Sequence, residues 1–159
     1  MIAVLHDIRS AHNVGSIFRT ADAAGVEKIF LCGITPGPLD RFGLSNPKVT
    51  KVSLGAEHTV AWERVSTTLM ILERLKKERY FLMAVEQAPR SCPYYQFELS
   101  PGVWDKTVLV LGNEIDGIPT KIIDKVDKIL EIPMRGKKES LNVAVAFGIV
   151  AFHLLPERG

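Results

Sequence analysis

Five short apolar runs alternate with longer segments of helical spacing, and this alternation limits the folds open to the chain more than any other feature. The runs are residues 2–5, 28–32, 80–85, 108–111 and 128–132. None alternates apolar with polar residues, so each reads as a strand covered on both faces. The helical segments are 14–24 closed by Gly25, 67–78 behind a capping Ser66, 120–125 after Pro119, and 141–155. Strands interleaved with helices predict an α/β fold, a mostly parallel sheet covered by helices on both faces. Residues 33–47 hold three prolines and read as a loop carrying Arg41; a short helix ending near Gly55 follows.

Composition sets broad bounds. A chain of 159 residues with 47% apolar and 24% charged residues is one ordinary domain with a sizeable core. A formal net charge of +2 permits a nucleic-acid partner but requires any basic face to be local. Cys32 and Cys92 lie far apart and form no CxxC pair, which argues against a disulfide framework or a zinc site and fits a reducing cytoplasm. The first ten residues do not read as a signal peptide. The apolar stretch 141–155 is too short to span a bilayer and contains Asn142 and His153, so a soluble protein is expected, with no membrane partner and no metal.

Three unusual clusters fall at strand ends, where ligands sit in open parallel sheets. HNVGSIFRTADAAGV follows the first strand. It would place Asn13 at a helix mouth and Arg19 less than two turns inside, within reach of the strand end; a capping Asn with a surface Arg is the plainer alternative. LVLGNEIDGIP, residues 109–119, puts Gly112 where backbone can approach a ligand, with Asn113 and Glu114 at the strand exit. Its plainer alternative is a turn followed by a capping acid. IPMRGKKESLNVAVAFGIVAFHLL opens with Arg135, Lys137 and Lys138, then Ser140 and Asn142. Ser140 reads as the helix cap, whereas Asn142, inside the first turn, has no structural need to be Asn. The sequence has no GxGxxG after the first strand, no GxSxG and no HExxH, which disfavours dinucleotide oxidoreductases and hydrolases.

In this order, the clusters resemble the motifs of the SpoU (TrmH-like) branch of the SPOUT RNA methyltransferases, over residues 5–155. Asn13, Gly15 and Arg19 match the first motif. Leu111, Gly112, Glu114 and Gly117 match the second. Ile132, Pro133, Met134, Gly136, Ser140, Leu141, Asn142 and Val143 match the third. Ala24 and Ala144 depart from it, standing where the family often has an aromatic residue and a serine. The resemblance implies a single domain over residues 1–159, without the accessory RNA-binding domain of larger members, and with a C-terminal deep trefoil knot. It implies that S-adenosyl-L-methionine sits in loops 84–87, 111–114 and 132–144. The cofactor residues would be Ala84, Val85, Glu86, Leu111, Gly112, Asn113, Ile132, Met134, Gly136, Ser140, Leu141 and Ala144. The implied reaction is methyl transfer to a ribose 2′-hydroxyl of tRNA or rRNA, with Arg19, Asn13, Glu114, Ser140 and Asn142 at the reacting centre. Arg9, Arg19, Arg41, Arg135, Lys137 and Lys138 would meet RNA. Because a guanidinium stays protonated, Arg19 suits phosphate binding and alkoxide stabilisation better than base catalysis. A helix as apolar as 141–155 has almost no polar face, so its own core and a partner should bury it all round; the resemblance implies a homodimer through it. The alternatives are a non-catalytic RNA-binding protein on the same fold and a SPOUT base methyltransferase.

Overall fold

The structure, a computed structural model, describes residues 1–100 and 102–156. Its strands are β1 (Ile2–His6), β2 (Lys28–Cys32), β3 (Ala61–Val65), β4 (Phe81–Val85), β5 (Cys92–Pro93), β6 (Thr107–Leu111) and β7 (Lys128–Glu131). All pairings are parallel, in the order β3-β2-β1-β6-β4-β7-β5. The helices are α1 (Ala11–Ala23), α2 (Pro47–Ser53), α3 (Ala56–Thr59), α4 (Thr68–Lys77), α5 (Thr120–Ile123) and α6 (Val143–His153). The chain runs outward from β1 to β3, returns to β4, and later threads β6 between β1 and β4. A ligand crevice forms outside the strand ends at such a reversal.

Strand alternation divides the core in two. Ala3, Leu5, Ile29, Leu31, Met83 and Leu109 face α1 and α6; Ile2, Val4, Phe30, Leu82, Val108 and Val110 face α4 and α5. Continuous apolar runs thus supply both faces, as expected of a parallel sheet. In α1 the buried stripe is Val14, Ile17, Phe18 and Ala21; in α4 it is Ile71, Leu72 and Leu75. Among the described residues no helix is long and apolar enough to cross a membrane.

Several local expectations are corrected. Two strands had no apolar signature: β3 reads AWERV, with Glu63 bound to Lys28 Nζ at 2.7 Å, and β5 has two residues, one a proline. Both lie at the sheet edges, where charge and proline are tolerated. The segment after the 33–47 loop forms two helices, α2 and α3, separated by Leu54 and Gly55 in left-handed conformations. Ser10 rather than Asn13 caps α1, Thr67 rather than Ser66 caps α4, and α5 stops at Ile123. Most consequentially, Asn142 and not Ser140 caps α6: its Oδ1 accepts from the N–H groups of Ala144 (2.9 Å) and Val145 (3.4 Å). Asn142 therefore does have a structural need to be Asn. Within the chain α6 buries Phe147, Val150 and Ala151, with Leu154 buried just after it, but leaves Val145 and Phe152 exposed, so its outer side is apolar and uncovered.

Gly15 explains the glycine of the first motif. A Cβ there would lie 2.6 Å from the carbonyl oxygen of Val49 and 2.7 Å from Val52 Cβ, where α2 crosses α1. At Gly148 of α6 a Cβ would meet only Thr20 Cγ2, at 3.5 Å. Gly15→Ala should therefore lower unfolding stability by about 1–3 kcal/mol through overpacking. Gly148→Ala should raise it by about 0.5–1 kcal/mol through helix preference. Urea titration of both variants checks the contrast; equal effects would contradict the packing described.

Candidate active site

The carboxyl ends of β6, β4 and β7 open into a cleft of about 950 Å³. Its walls are residues 85–89, 111–118, 132, 134 and 140–143, with Asn13, Thr120, Ile123 and Ala146 completing it. The walls come from loops far apart in sequence, and a chain of hydrogen bonds joins them.

The chain starts at Glu114. Its carboxylate accepts from the N–H of Arg9 (2.8 Å), the N–H of Ser10 (3.0 Å) and the Asn13 amide nitrogen (3.0 Å). Asn13 Oδ1 then accepts from the Asn142 amide nitrogen at 2.9 Å, and Asn142 Oδ1 caps α6. The network fixes both amide orientations. Asn13 must offer its nitrogen to the carboxylate, which leaves its oxygen for Asn142. Burial by itself would raise the pKa of Glu114, but the Arg9 N–H, the Asn13 amide and the Ser10 N–H outweigh it and hold the carboxyl below its ordinary value.

The 112–119 turn is equally tied. Asn113 Oδ1 accepts from the N–H groups of Ile115 (2.8 Å) and Asp116 (3.1 Å), and its amide donates to the Asp7 carbonyl at 2.7 Å. Gly112 was expected to give a ligand room. Its structural reason is internal: a Cβ would lie 2.5 Å from Ile118 Cγ1 and 2.6 Å from the carbonyl carbon of Gly117. Glu86 joins this turn to the next wall, accepting from Ile118 N–H at 2.9 Å and Gln87 N–H at 2.9 Å. Gln87 spans the cleft mouth, donating from its side chain to the Glu139 carbonyl at 2.7 Å.

The structure gathers most of the residues named from sequence. Asn13, Glu114, Ser140 and Asn142 line the cleft, as do Val85, Glu86, Leu111, Gly112, Asn113, Ile132, Met134 and Leu141. Three lie elsewhere. Ala84 is fully buried inside the sheet, because its side chain points into the α4–α5 core; Gly136 and Ala144 lie off the lining. Arg19 also lies outside the lining, exposed on α1. Arg9, Arg41, Arg135, Lys137 and Lys138 are likewise exposed. Outside the loops and motif positions named from sequence are Ala88, Pro89, Ile115, Asp116, Ile118, Thr120, Ile123 and Ala146. Gly117 of the second motif signalled that its whole turn is structural; nothing in the sequence marked Thr120 or Ile123.

A parallel sheet whose carboxyl edge opens into an amide-lined cleft defines an α/β domain with a ligand crevice where its strand order reverses. More particularly, residues 1–152 match the model described as the SpoU rRNA Methylase family, and the chain belongs to that family. It is similar to the 23S rRNA (guanosine-2'-O-)-methyltransferase RlmB of Blochmanniella floridana, at 35% identity over 99% of this chain and 58% of the relative. The chain thus spans little more than half the length of such relatives. Among solved structures it is similar to an AdoMet-bound rRNA methyltransferase from Sinorhizobium meliloti: 29% identity, TM-score 0.78, 96% of this chain and 54% of that one. A structure described by the 2-OH methylation of C/U34 on tRNA matches at 27% identity and TM-score 0.77, over 95% of this chain and 91% of that one.

Glu114 makes the network sensitive to acid. Its folded pKa is depressed. The stability it contributes is therefore complete above its unfolded value, about 4.3, and disappears as pH falls through the folded value. Glu114→Gln removes the charge and exchanges one of the two acceptor oxygens for an amide donor. The stability gap between wild type and variant should hold constant near neutrality and narrow below about pH 4.3. Urea titrations from neutral to acid pH check this; a gap independent of pH would show that the carboxylate is not held as described.

Proposed function

We propose that this chain transfers the methyl group of S-adenosyl-L-methionine to a ribose 2′-hydroxyl of RNA, either tRNA or rRNA. The observation that carries this is the Glu114–Asn13–Asn142 chain, which gathers polar residues of all three motifs at one cleft. The cleft suits the cofactor. Its volume of about 950 Å³ falls in the range of small-molecule sites. Leu111, Ile118, Ile132 and Met134 offer apolar wall for an aromatic base, and loops 85–88, 111–113 and 132–134 would hold the rest largely by main chain. When bound, the cofactor supplies an electrophilic sulfonium methyl.

The residues beside it are equipped to position a hydroxyl. One Asn142 amide hydrogen is committed to Asn13; the second is free to donate to the ribose. The Ser140 hydroxyl makes no hydrogen bond among the described residues, so it too is available. Arg19 lies six residues beyond Asn13, about 9 Å along the helix axis, and outside the cleft lining. That placement suits a partner in the RNA rather than in the cofactor. Its planar, permanently charged group binds phosphate and stabilises the oxyanion that develops as the hydroxyl loses its proton.

The same proposal gives the chain the family's C-terminal trefoil knot, a cytoplasmic setting, and a homodimer through the uncovered side of α6. Exposed Leu141, Val145 and Phe152 support the dimer.

Arg19→Ala should slow methyl transfer about 10²–10³-fold while leaving cofactor affinity near wild type. Arg19→Lys should rescue little, since it keeps the charge and loses the fork. Single-turnover transfer of labelled methyl to cellular RNA, beside calorimetry with S-adenosyl-L-methionine, separates the two steps. Transfer by Arg19→Ala at the wild-type rate would remove Arg19 from the mechanism.

A further inference from the structure

The segment between β2 and α2 concentrates large apolar side chains at the surface: Phe42 is 72%, Leu44 65% and Ile34 64% exposed. Its backbone is nonetheless firmly held. The Asp40 carboxylate accepts from Phe42 N–H (2.8 Å) and Leu44 N–H (2.9 Å), and Asp40 N–H donates to the Leu44 carbonyl at 2.8 Å. From β3, the Arg64 guanidinium donates to the carbonyls of Leu39 (3.0 Å) and Thr35 (3.3 Å). A turn tied from within and from behind points Phe42 outward by construction. Exposure of apolar surface that the backbone enforces marks an interaction site.

Charge and shape select the occupant. The Arg41 guanidinium lies over the Phe42 ring, 4.7 Å from its centroid, and makes no ion pair among the described residues. The one acid in the turn, Asp40, is committed to backbone N–H groups. What remains is a mostly exposed aromatic ring with an uncompensated cation over one of its faces. That combination binds unpaired nucleobases, which stack on the ring while arginine meets phosphate.

The turn is also continuous with the cleft. Asp7 accepts from Ile34 N–H at 3.0 Å, and Ile8 N–H donates to Thr35 Oγ1 at 3.1 Å. The same 7–10 segment receives Asn113 at the Asp7 carbonyl and gives its Arg9 N–H to Glu114. Strand β2 lies two strand spacings from β6, about 10 Å, so the root of the turn stands beside the cleft's edge.

We propose that residues 33–46 form a stacking platform for an unpaired nucleobase flanking the methylated nucleotide, with Phe42 taking the base and Arg41 the adjoining phosphate. This rests on the reading of RNA as substrate and deepens it: the target is single-stranded at this position. The test is fluorescence anisotropy with a labelled single-stranded RNA and with the duplex of the same sequence, on wild type, Phe42→Ala and Phe42→Trp. Phe42→Ala should weaken single-strand binding about tenfold to a hundredfold. Phe42→Trp should hold wild-type affinity, and neither should alter duplex binding. Equal losses on both RNAs, or no loss on either, would overturn the platform. So would a change of oligomeric state on sedimentation of Phe42→Ala, which would assign the turn to a protein contact. A wild type that binds neither RNA would overturn the substrate reading itself, a result distinct from a wild type that binds and a variant that behaves the same.

Discussion

One buried amide holds the candidate site together. Asn13, 7% exposed, donates to Glu114 and accepts from Asn142, partners 101 and 129 residues away along the chain. Its nitrogen joins α1 to the turn after β6; its oxygen joins α1 to the cap of α6. Both helices pack on the same face of the sheet, so their starts must arrive together for the cleft to have a floor. A hydrophobic replacement at position 13 would leave Glu114 short of a donor and one Asn142 hydrogen without a partner. Both of these groups are exposed and turn to water instead, so the loss is that of the hydrogen bonds themselves, about 0.5–1.5 kcal/mol each. A single side chain thus couples local capping to the tertiary position of two helices.

That coupling sorts the residues around the cleft into two kinds. Glu114, Asn13, Asn113 and Glu86 spend their hydrogen-bonding capacity on backbone and on one another, and they fix the walls. Ser140, the second Asn142 hydrogen and the exposed Arg19 stay uncommitted. A preorganised frame carrying a few free donors is the arrangement that stabilises developing charge without reorganisation. The Gln87 bond to the Glu139 carbonyl adds a tie across the mouth, next to the exposed lysines of the same loop.

The fold class was legible because parallel strands are buried on both faces and leave continuous apolar runs, as 2–5 and 108–111 do. Strand β3 was not, since Glu63 and Arg64 make ion pairs and carbonyl bonds at a sheet edge and erase the apolar pattern. The site was legible from its motifs as positions, less so as roles. Gly112 looked like room for a ligand, and Gly15 stood out only as a motif position. Each is required by a backbone contact that only the tertiary structure reveals. The caps slipped by one to three residues because Ser, Thr and Asn cluster at each helix start, and spacing alone does not say which of them turns inward. Asn142 does both jobs, capping and bridging, and no local rule separates them.

The most direct test of the bridge is a double-mutant cycle. Glu114→Ala and Asn142→Ala each delete one of the two bonds that Asn13 makes, and no hydrogen bond joins residues 114 and 142 directly among the described residues. Calorimetric affinity for S-adenosyl-L-methionine and urea stability, measured on both single variants and the double, give the coupling. A working bridge predicts non-additivity of about 0.5–3 kcal/mol that vanishes when the cycle is repeated in the Asn13→Ala background. Additive effects in the presence of Asn13 would contradict it, and would mean that the two helix starts are placed independently.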